Sequence, residues 1–353
     1  MLADQNGTVS ALGLQRGVAA LFTAAGISPH ASEQVAEDLV AADIEGVASH
    51  GVMLVPMYLQ RLKAGSVSRA EEGVVVSDRE ASVVLDAGDV LGQLTARQAV
   101  ELAVERARRF GLAAVSVRNA FHFGTAGRYA RMMADQGVVG IVMSNTRPLM
   151  PATGGAEPLT GNNPLAIAVP SDAAFAPEVD MALSAAAMGK VRNAAAAGRN
   201  IPDGWAADRD GNPTNDPQKA IEGMLLPAAG PKGFGLAFMI DLLAGGLSGG
   251  AIGPEVSGLY GDPAKPYRCS NLFIAIHVDH FVDQAEFVQR AGAELGRVAA
   301  SRKAPGVDRV YAPGELAHVA RSRAQGRARV APPALNSLVE AGAALGVDLP
   351  SYF

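Results

Sequence analysis

Two of the chain's six histidines stand where regular structure must break. His50 lies in Asp43-Ile44-Glu45-Gly46-Val47-Ala48-Ser49-His50-Gly51, between two helical patterns, and His122 lies in Phe121-His122-Phe123-Gly124, just past a β-branched run. An imidazole titrates near neutral pH, so it can give a proton and take one back under working conditions. In α/β sheets, ligands gather at the carboxyl ends of strands, which is where His122 falls. Each histidine also has a second reading on the residues alone. His122 suits a loop or a helix cap, and Ser49 suits the N-cap of a helix starting at Val52, with His50 left exposed. In the reactive reading, Ser49 bonds one ring nitrogen of His50 and leaves the other for substrate.

Other chemistry-bearing segments are sparser. The stretch Gly230-Pro231-Lys232-Gly233-Phe234-Gly235 leads into a helix and offers backbone N–H groups plus a lysine, which suits a phosphate. It is not a Walker motif, and a plain glycine-rich turn is its other reading. The G-x-G-x-x-G fingerprint of the usual dinucleotide fold is absent. His277-Val278-Asp279-His280 sits at a strand end with no Cys or carboxylate cluster, so no metal site is expected. Cys269 reads as a small buried residue. Neither a G-x-S-x-G elbow nor an H-E-x-x-H pair occurs, which disfavours a hydrolase.

These segments need elements to hold them. Leu14, Val18, Leu21 and Phe22 share a helical face ended by Gly26, and Ser28-Pro29 starts a second helix that runs to Gly46. Val55, Tyr58, Leu59 and Leu62 give a third, stopped by Gly65. From Val74 the pattern changes. Val74–Val76 and Val83–Leu85 read as strands, Gln93–Phe110 as helix, Leu112–Val117 as strand, Thr125–Gln136 as helix and Val138–Met143 as strand. That alternation predicts an α/β layer. Pro148–Pro164 is too turn-rich for regular structure, and Gly204–Pro217 reads as another loop. Between them the pattern predicts a strand at Leu165–Val169, one through Asp180-Met181 and a helix from Ser184. Beyond them come helices at Phe234–Leu243, Gln284–Ser301 and Ala334–Leu345, with a strand at Leu272–His277. The basic run Arg321–Arg329 reads as a solvated segment.

Bulk properties narrow the class. The 353 residues, 49% hydrophobic and 18% charged, describe a folded chain rather than a disordered one. A chain of this length buries about 75% of its unfolded surface, so it needs no disulfide or metal to fold. The formal net charge of −5 argues against nucleic acid or an anionic membrane as partner. The single cysteine forbids an intrachain disulfide and fits a reducing compartment. Met1–Ser10 lacks the apolar core of a secretory signal, and Leu236–Leu247 falls short of the ~20 residues of a membrane span. A cytoplasmic protein is the expectation.

Taken together, the segments resemble the malate/L-lactate dehydrogenase family. The resemblance rests on Asp43–Gly51 with Tyr58 and Gly65 after it, Phe121-His122-Phe123-Gly124-Thr125-Ala126-Gly127, Gly154-Gly155, and Gly161-Asn162-Asn163-Pro164. It continues through Asp180-Met181-Ala182-Leu183-Ser184, Ile201–Ala206, Gly211–Thr214, Gly230–Leu236 and Pro313-Gly314-Glu315, covering nearly the whole chain. It implies a three-layer α/β fold with a mixed sheet, not a classical Rossmann fold. In it an N-terminal helical segment (1–73) packs with a C-terminal segment (306–353), beside a central cofactor-binding region (74–305). It also implies a homodimer that binds NAD or NADP in a cleft shared by its subunits. By the same resemblance His50, with Ser49 beside it, matches a proton donor, and His122 matches an acid/base that also touches cofactor. Phe123, Gly124, Thr125, Ala126, Thr146, Asp180, Met181, Ala182, Lys232, Pro313, Gly314 and Glu315 fall on cofactor contacts. No metal is implied.

One position departs from the family. Most members carry an arginine three residues after the Gly of Ser-His-Gly, where it grips the substrate carboxylate; here that residue is Leu54. Leucine cannot replace a bidentate guanidinium. Arg147, just past a strand end, is the candidate substitute, a solvent-facing loop arginine being its other reading. The activity implied is hydride transfer between a nicotinamide and C2 of a small 2-hydroxy or 2-oxo acid. The alternatives are a ureidoglycolate dehydrogenase-like enzyme, a cyclic imino-acid (piperideine/pyrroline-2-carboxylate) reductase, or a catalytically dead member that only binds cofactor.

Overall fold

The computed structural model describes residues 7–353. Met1–Asn6, the start of the stretch read for a signal, lie outside the described residues. A short strand β1 (Thr8–Ser10) leads into α1 (Ala11–Ala24), which Ser10 caps by accepting the Gly13 N–H at 3.1 Å. α2 (Pro29–Ile44) starts at Ser28, whose hydroxyl accepts the Ala31 N–H, with Pro29 in the first turn. Two single 3₁₀ turns, Ala48–His50 and Val52–Leu54, connect it to α3 (Val55–Ala64), which ends on Gly65 in the left-handed region at φ 81°. Ser49 caps neither turn, so the histidine segment is a true break between helices.

The central region opens with β2 (Val74–Arg79) and β3 (Ser82–Asp86), then α4 (Gly92–Phe110), β4 (Leu112–Ala120), α5 (Ala126–Ala134) and β5 (Val138–Ser144). β6 (Met150–Pro151) and β7 (Pro158–Thr160) pair in the stretch read as structureless, before β8 (Leu165–Ala168) and β9 (Glu178–Met181). α6 (Met188–Ala196) begins four residues later than its pattern suggests. Ser184 bridges to Pro227 and bonds the Ala186 carbonyl at 2.8 Å, which holds the approach extended. β10 (Ala206–Ala207), β11 (Pro213–Thr214), α7 (Pro217–Glu222) and β12 (Met224–Leu225) form a small satellite sheet and helix. α8 (Pro231–Asp241) runs into a π turn at Leu242–Gly246, and β13 (Cys269–His277) and α9 (Gln284–Ala299) follow.

β2–β3–β4–β13–β5–β8–β9 form one seven-stranded mixed sheet. Only β3 and β4 pair in parallel. Along β13, Phe273 and Ala275 face α4 and α5 with Val115, Val117 and Val142, while Leu272 and Ile274 face α8 with Ala237 and Ile240. Strand alternation thus sends successive residues into two helical layers, which makes three layers in all. The seven-stranded sheet covered by helices bears out the predicted fold class.

The C-terminal segment adds order to a run that the sequence reads only as solvated. α10 (Glu315–Ala324), β14 (Arg327–Arg329) and α11 (Pro332–Leu345) occupy the region of the basic run. Arg321 pairs with Glu45 at 3.0 Å, and Arg327–Arg329 pair antiparallel with Thr8–Ser10. The run is thus tied to the N-terminal part through Arg321 and the strand backbone, while Arg323, Arg327 and Arg329 stay exposed. Its partners lie about 280–320 residues away in sequence, where no local pattern reaches.

Candidate active site

Five of the resemblance segments, those at 43–51, 121–127, 161–164, 180–184 and 313–315, converge on one cavity of about 930 Å³, within the range of ligand pockets. Its wall takes Ser49 and His50 from the first 3₁₀ turn and His122–Ala126 from the loop after β4. Thr146 and Arg147 follow β5, Asp180 lies on β9 with Ala182 just beyond it, and Pro313-Gly314 precede α10. Three predicted contacts do not reach this wall. Met181 points away and is exposed, and Lys232 stands exposed at the start of α8. Glu315 turns back, accepting the Ala312 N–H at 3.0 Å and pairing with Arg309.

The imidazoles of His50 and His122 stack, with centroids 5.4 Å apart and planes 25° from parallel. Ser49 Oγ lies 2.9 Å from His50 Nδ1. On the far side of His122, the Tyr58 hydroxyl lies 2.6 Å from Nδ1 and 3.2 Å from the His122 carbonyl oxygen. Burial, with His50 alongside, pushes His122 down to about 3, and burial also lowers His50. Both rings are neutral at pH 7, the state that takes a proton from an alcohol.

The histidine turn is built from behind. Asp43, buried, accepts the Val52 N–H at 2.8 Å, and its carboxyl occupies the place a side chain at Gly51 would need. Gly51 is thus required by close approach. Burial raises Asp43 to about 7 against the opposing Val52 bond. Asp180 works similarly on the loop after His122. It accepts the Gly127 N–H at 2.8 Å, any Cβ on Gly127 would strike Asp180 and Glu178, and burial raises it to about 6. The 146–147 loop hangs on Asn163, which accepts the Thr146 N–H at 2.9 Å and donates to the Ala237 carbonyl at 2.8 Å. A Cβ on Gly161 would collide with Thr146 and Asn163, which explains the Gly161-Asn162-Asn163 motif.

Leu54 is 1% exposed and packs in the helical core, while Met53 takes the cavity wall. The departure removes a cation from the site without putting a leucine into it. Two guanidiniums do line the cavity. Arg147 lies along Gly258, and Arg192 of α6 sits 5.5 Å over the Tyr260 ring. Neither has an ion-pair partner among the described residues.

Sequence reasoning missed Arg192 and Tyr260, for which no motif offered a signal. It placed Tyr58 on a helical face and among the residues of the resemblance, with no role. A tyrosine in an otherwise aliphatic buried stripe does signal a hydroxyl in need of a partner. A third missed residue is Arg61, 1% exposed, with Asp262 near enough to act on it electrostatically but no carboxylate at ion-pair distance among the described residues. It donates to the carbonyls of Lys265 (2.7 Å), Leu259 (2.8 Å) and Gly258 (3.1 Å), fastening the segment that carries Tyr260 and Tyr267 to the cavity. At the other sheet end, His280 bonds the Arg108 carbonyl at 3.2 Å. No cluster of three or more metal-binding side chains exists among the described residues.

Comparison with known proteins places this architecture. The malate/L-lactate dehydrogenase profile matches residues 9–338. The chain is similar to L-sulfolactate dehydrogenase of Methanocaldococcus jannaschii, 34% identical with 93% of this chain and 94% of the relative covered. It is also similar to the NAD(+) ureidoglycolate dehydrogenase of Escherichia coli K12, 37% identical with 82% and 83% covered. The solved structure of the M. jannaschii sulfolactate dehydrogenase superposes with a TM-score of 0.92 at 33% identity, covering 98% of this chain and 99% of that one.

Proposed function

The chain belongs to the malate/L-lactate dehydrogenase family, and from that membership we propose that it is an NAD(P)-dependent oxidoreductase acting at C2 of a small, anionic 2-hydroxy or 2-oxo acid. The observation that carries this reading is the stacked His50–His122 pair on one cavity with two unpaired guanidiniums.

The cavity fits a dinucleotide. Gly124, at φ 92°, has open space where a side chain would stand, and the loop enters the N-terminus of α5, where the first-turn N–H groups other than Gly127's, held by Asp180, suit a phosphate. Asp180 and the Pro313-Gly314 turn border the same space and suit the cofactor's hydroxyl groups. The nicotinamide, when bound, supplies or accepts the hydride. The protein's own part is orientation and proton movement. Arg147 and Arg192 hold the substrate carboxylate in place of the missing arginine. His122 exchanges the hydroxyl proton at Nε2, and His50, set by Ser49, completes the wall against it. In the oxidising direction a neutral imidazole accepts that proton. In reduction a neighbouring substrate anion favours the imidazolium that returns it.

A homodimer completes the reading. Leu236, Phe238, Met239, Leu242, Leu243 and Leu247 form an exposed apolar face along α8 and its π turn, each at least 37% exposed. Lys232 begins that same helix, so a partner seated there brings the lysine toward a shared cleft. The buried, free Cys269 supports a cytoplasmic location.

The test mixes the protein with NADH or NADPH and a panel of 2-oxo acids, cyclic imines and neutral ketones, following absorbance of the reduced cofactor. Oxidation with 2-oxo acids is expected. Turnover confined to cyclic imines would replace the proposal with imine reduction, and cofactor binding without turnover on any compound would leave a binding protein.

A further inference from the structure

Behind His122 lies a chain of buried polar groups with no evident role in binding. Tyr58 is fully buried on α3. Its oxygen is reached by three groups: His122 Nδ1 at 2.6 Å, the His122 carbonyl oxygen at 3.2 Å, and Gln93 Nε2 of α4 at 3.3 Å. Chemistry fixes the direction of two of these bonds. An amide nitrogen only donates, so Gln93 donates to the phenol oxygen. A carbonyl oxygen only accepts, so the Tyr58 O–H donates to His122 O. Tyr58 has one proton and two acceptors in reach, the carbonyl and Nδ1; with the proton on the carbonyl, Nδ1 is the donor to the phenol oxygen, and with it on Nδ1 the ring carries its hydrogen on Nε2.

Resting on the reading of His122 as the proton carrier, we propose that Tyr58 is a positioning residue that holds His122 in the Nδ1–H tautomer, leaving the Nε2 lone pair facing the cavity. The arrangement serves both charge states. Neutral His122 keeps its Nδ1–H on Tyr58 and takes the substrate hydroxyl proton onto Nε2. The imidazolium keeps the same Nδ1 bond and returns the proton from Nε2, so nothing behind the ring has to move. In the opposite tautomer Nε2 would carry the hydrogen of the neutral ring and could not act as base. A phenol does here what a carboxylate does in other acid/base histidines, without a negative charge that would trap the proton. Burial holds Tyr58 protonated, so it does not become an anion. The other groups around the ring are His50, stacked on it, and Cys269 and Tyr267 on the shared wall, the last two kept neutral by burial. Arg147, Arg192, Glu45, Glu178 and Asp180 are the charged groups bordering the same cavity.

The test has two arms on the full-length protein. With 15N-labelled histidine, long-range 1H–15N spectra at neutral pH read the tautomer directly, His122→Asn assigning the signal. A protonated Nδ1 and a bare Nε2 are expected, with Tyr58→Phe shifting the ring toward the other tautomer. A protonated Nε2 in the unaltered protein overturns the proposal, as does an unchanged pattern in Tyr58→Phe. In the second arm, Tyr58→Phe lowers kcat in both directions by about tenfold to a hundredfold, an acid/base-sized effect, with cofactor Kd within about twofold. The imidazolium loses its Nδ1 acceptor, so the pH limb due to His122 moves to lower pH. Full activity with an unmoved pH profile overturns the positioning role. Turnover retained in His122→Asn instead removes the proton-carrier reading, while the tautomer measurement still judges Tyr58 by itself.

Discussion

At the scale of single residues, the site shows how one substitution is absorbed. Replacing the expected arginine by Leu54 does not make the pocket apolar, because that side chain belongs to the core. In the proposed function the cation requirement passes to Arg147 and Arg192, which reach the cavity from the loop after β5 and from α6. A guanidinium matches a carboxylate with two parallel N–H donors, and truncating it removes binding in ground and transition states alike. Arg147→Ala is therefore expected to raise KM for every accepted 2-oxo acid by about tenfold or more, with a smaller change in kcat. Steady-state kinetics across the panel check this, and an unchanged KM for all of them would exclude Arg147 as the carboxylate ligand.

Among elements, the site depends on segments that are not themselves regular. The 3₁₀ turn of His50, the loop after β4 and the 257–267 segment each rely on one charged or polar side chain: Asp43, Asp180 and Arg61 respectively. Arg61 is the most exposed to test. Its buried guanidinium donates to three backbone carbonyls about 200 residues away in sequence, and losing a charged donor from a buried place is costly. Arg61→Met is expected to destabilise the fold by about 2–4 kcal/mol and to raise KM by loosening Tyr260 and Tyr267. Thermal unfolding and KM measured together check it; a stable variant with unaltered KM would show that the segment holds without the staple. Helices and strands of the central layer were legible because periodicity is local: the 3.6-residue stripe of Gln93–Phe110 and the β-branched run of Leu112–Val117 appear as read. The pairing of Thr8–Ser10 with Arg327–Arg329 and the delayed start of α6 were not, since both depend on distant partners.

On the whole-molecule scale, three layers bury two separate cores on the faces of one sheet and leave the α8 face uncovered. Apolar side chains concentrated on one helix face are the composition of a protein–protein interface core. Phe238→Glu places a charge in the middle of that face. Sedimentation is expected to show a dimer for the unaltered protein and a shift to monomer for the variant. A monomer in both cases would remove the homodimer from the proposal.

The residue types and spacings alone determined that two histidines flank element breaks, that the centre is an α/β layer, and that the motifs resemble one dehydrogenase family. Only the tertiary structure decided what those residues do to each other. His50 and His122 are 72 positions apart and meet as stacked rings. Tyr58, one residue of an apolar stripe, delivers its hydroxyl to His122, and Arg192 reaches the cavity without any motif to announce it. Local sequence carries periodicity and turn chemistry, whereas ring stacking, tautomer and charge placement arise from contacts across the sheet and its helices, which exist only once the chain has closed on itself.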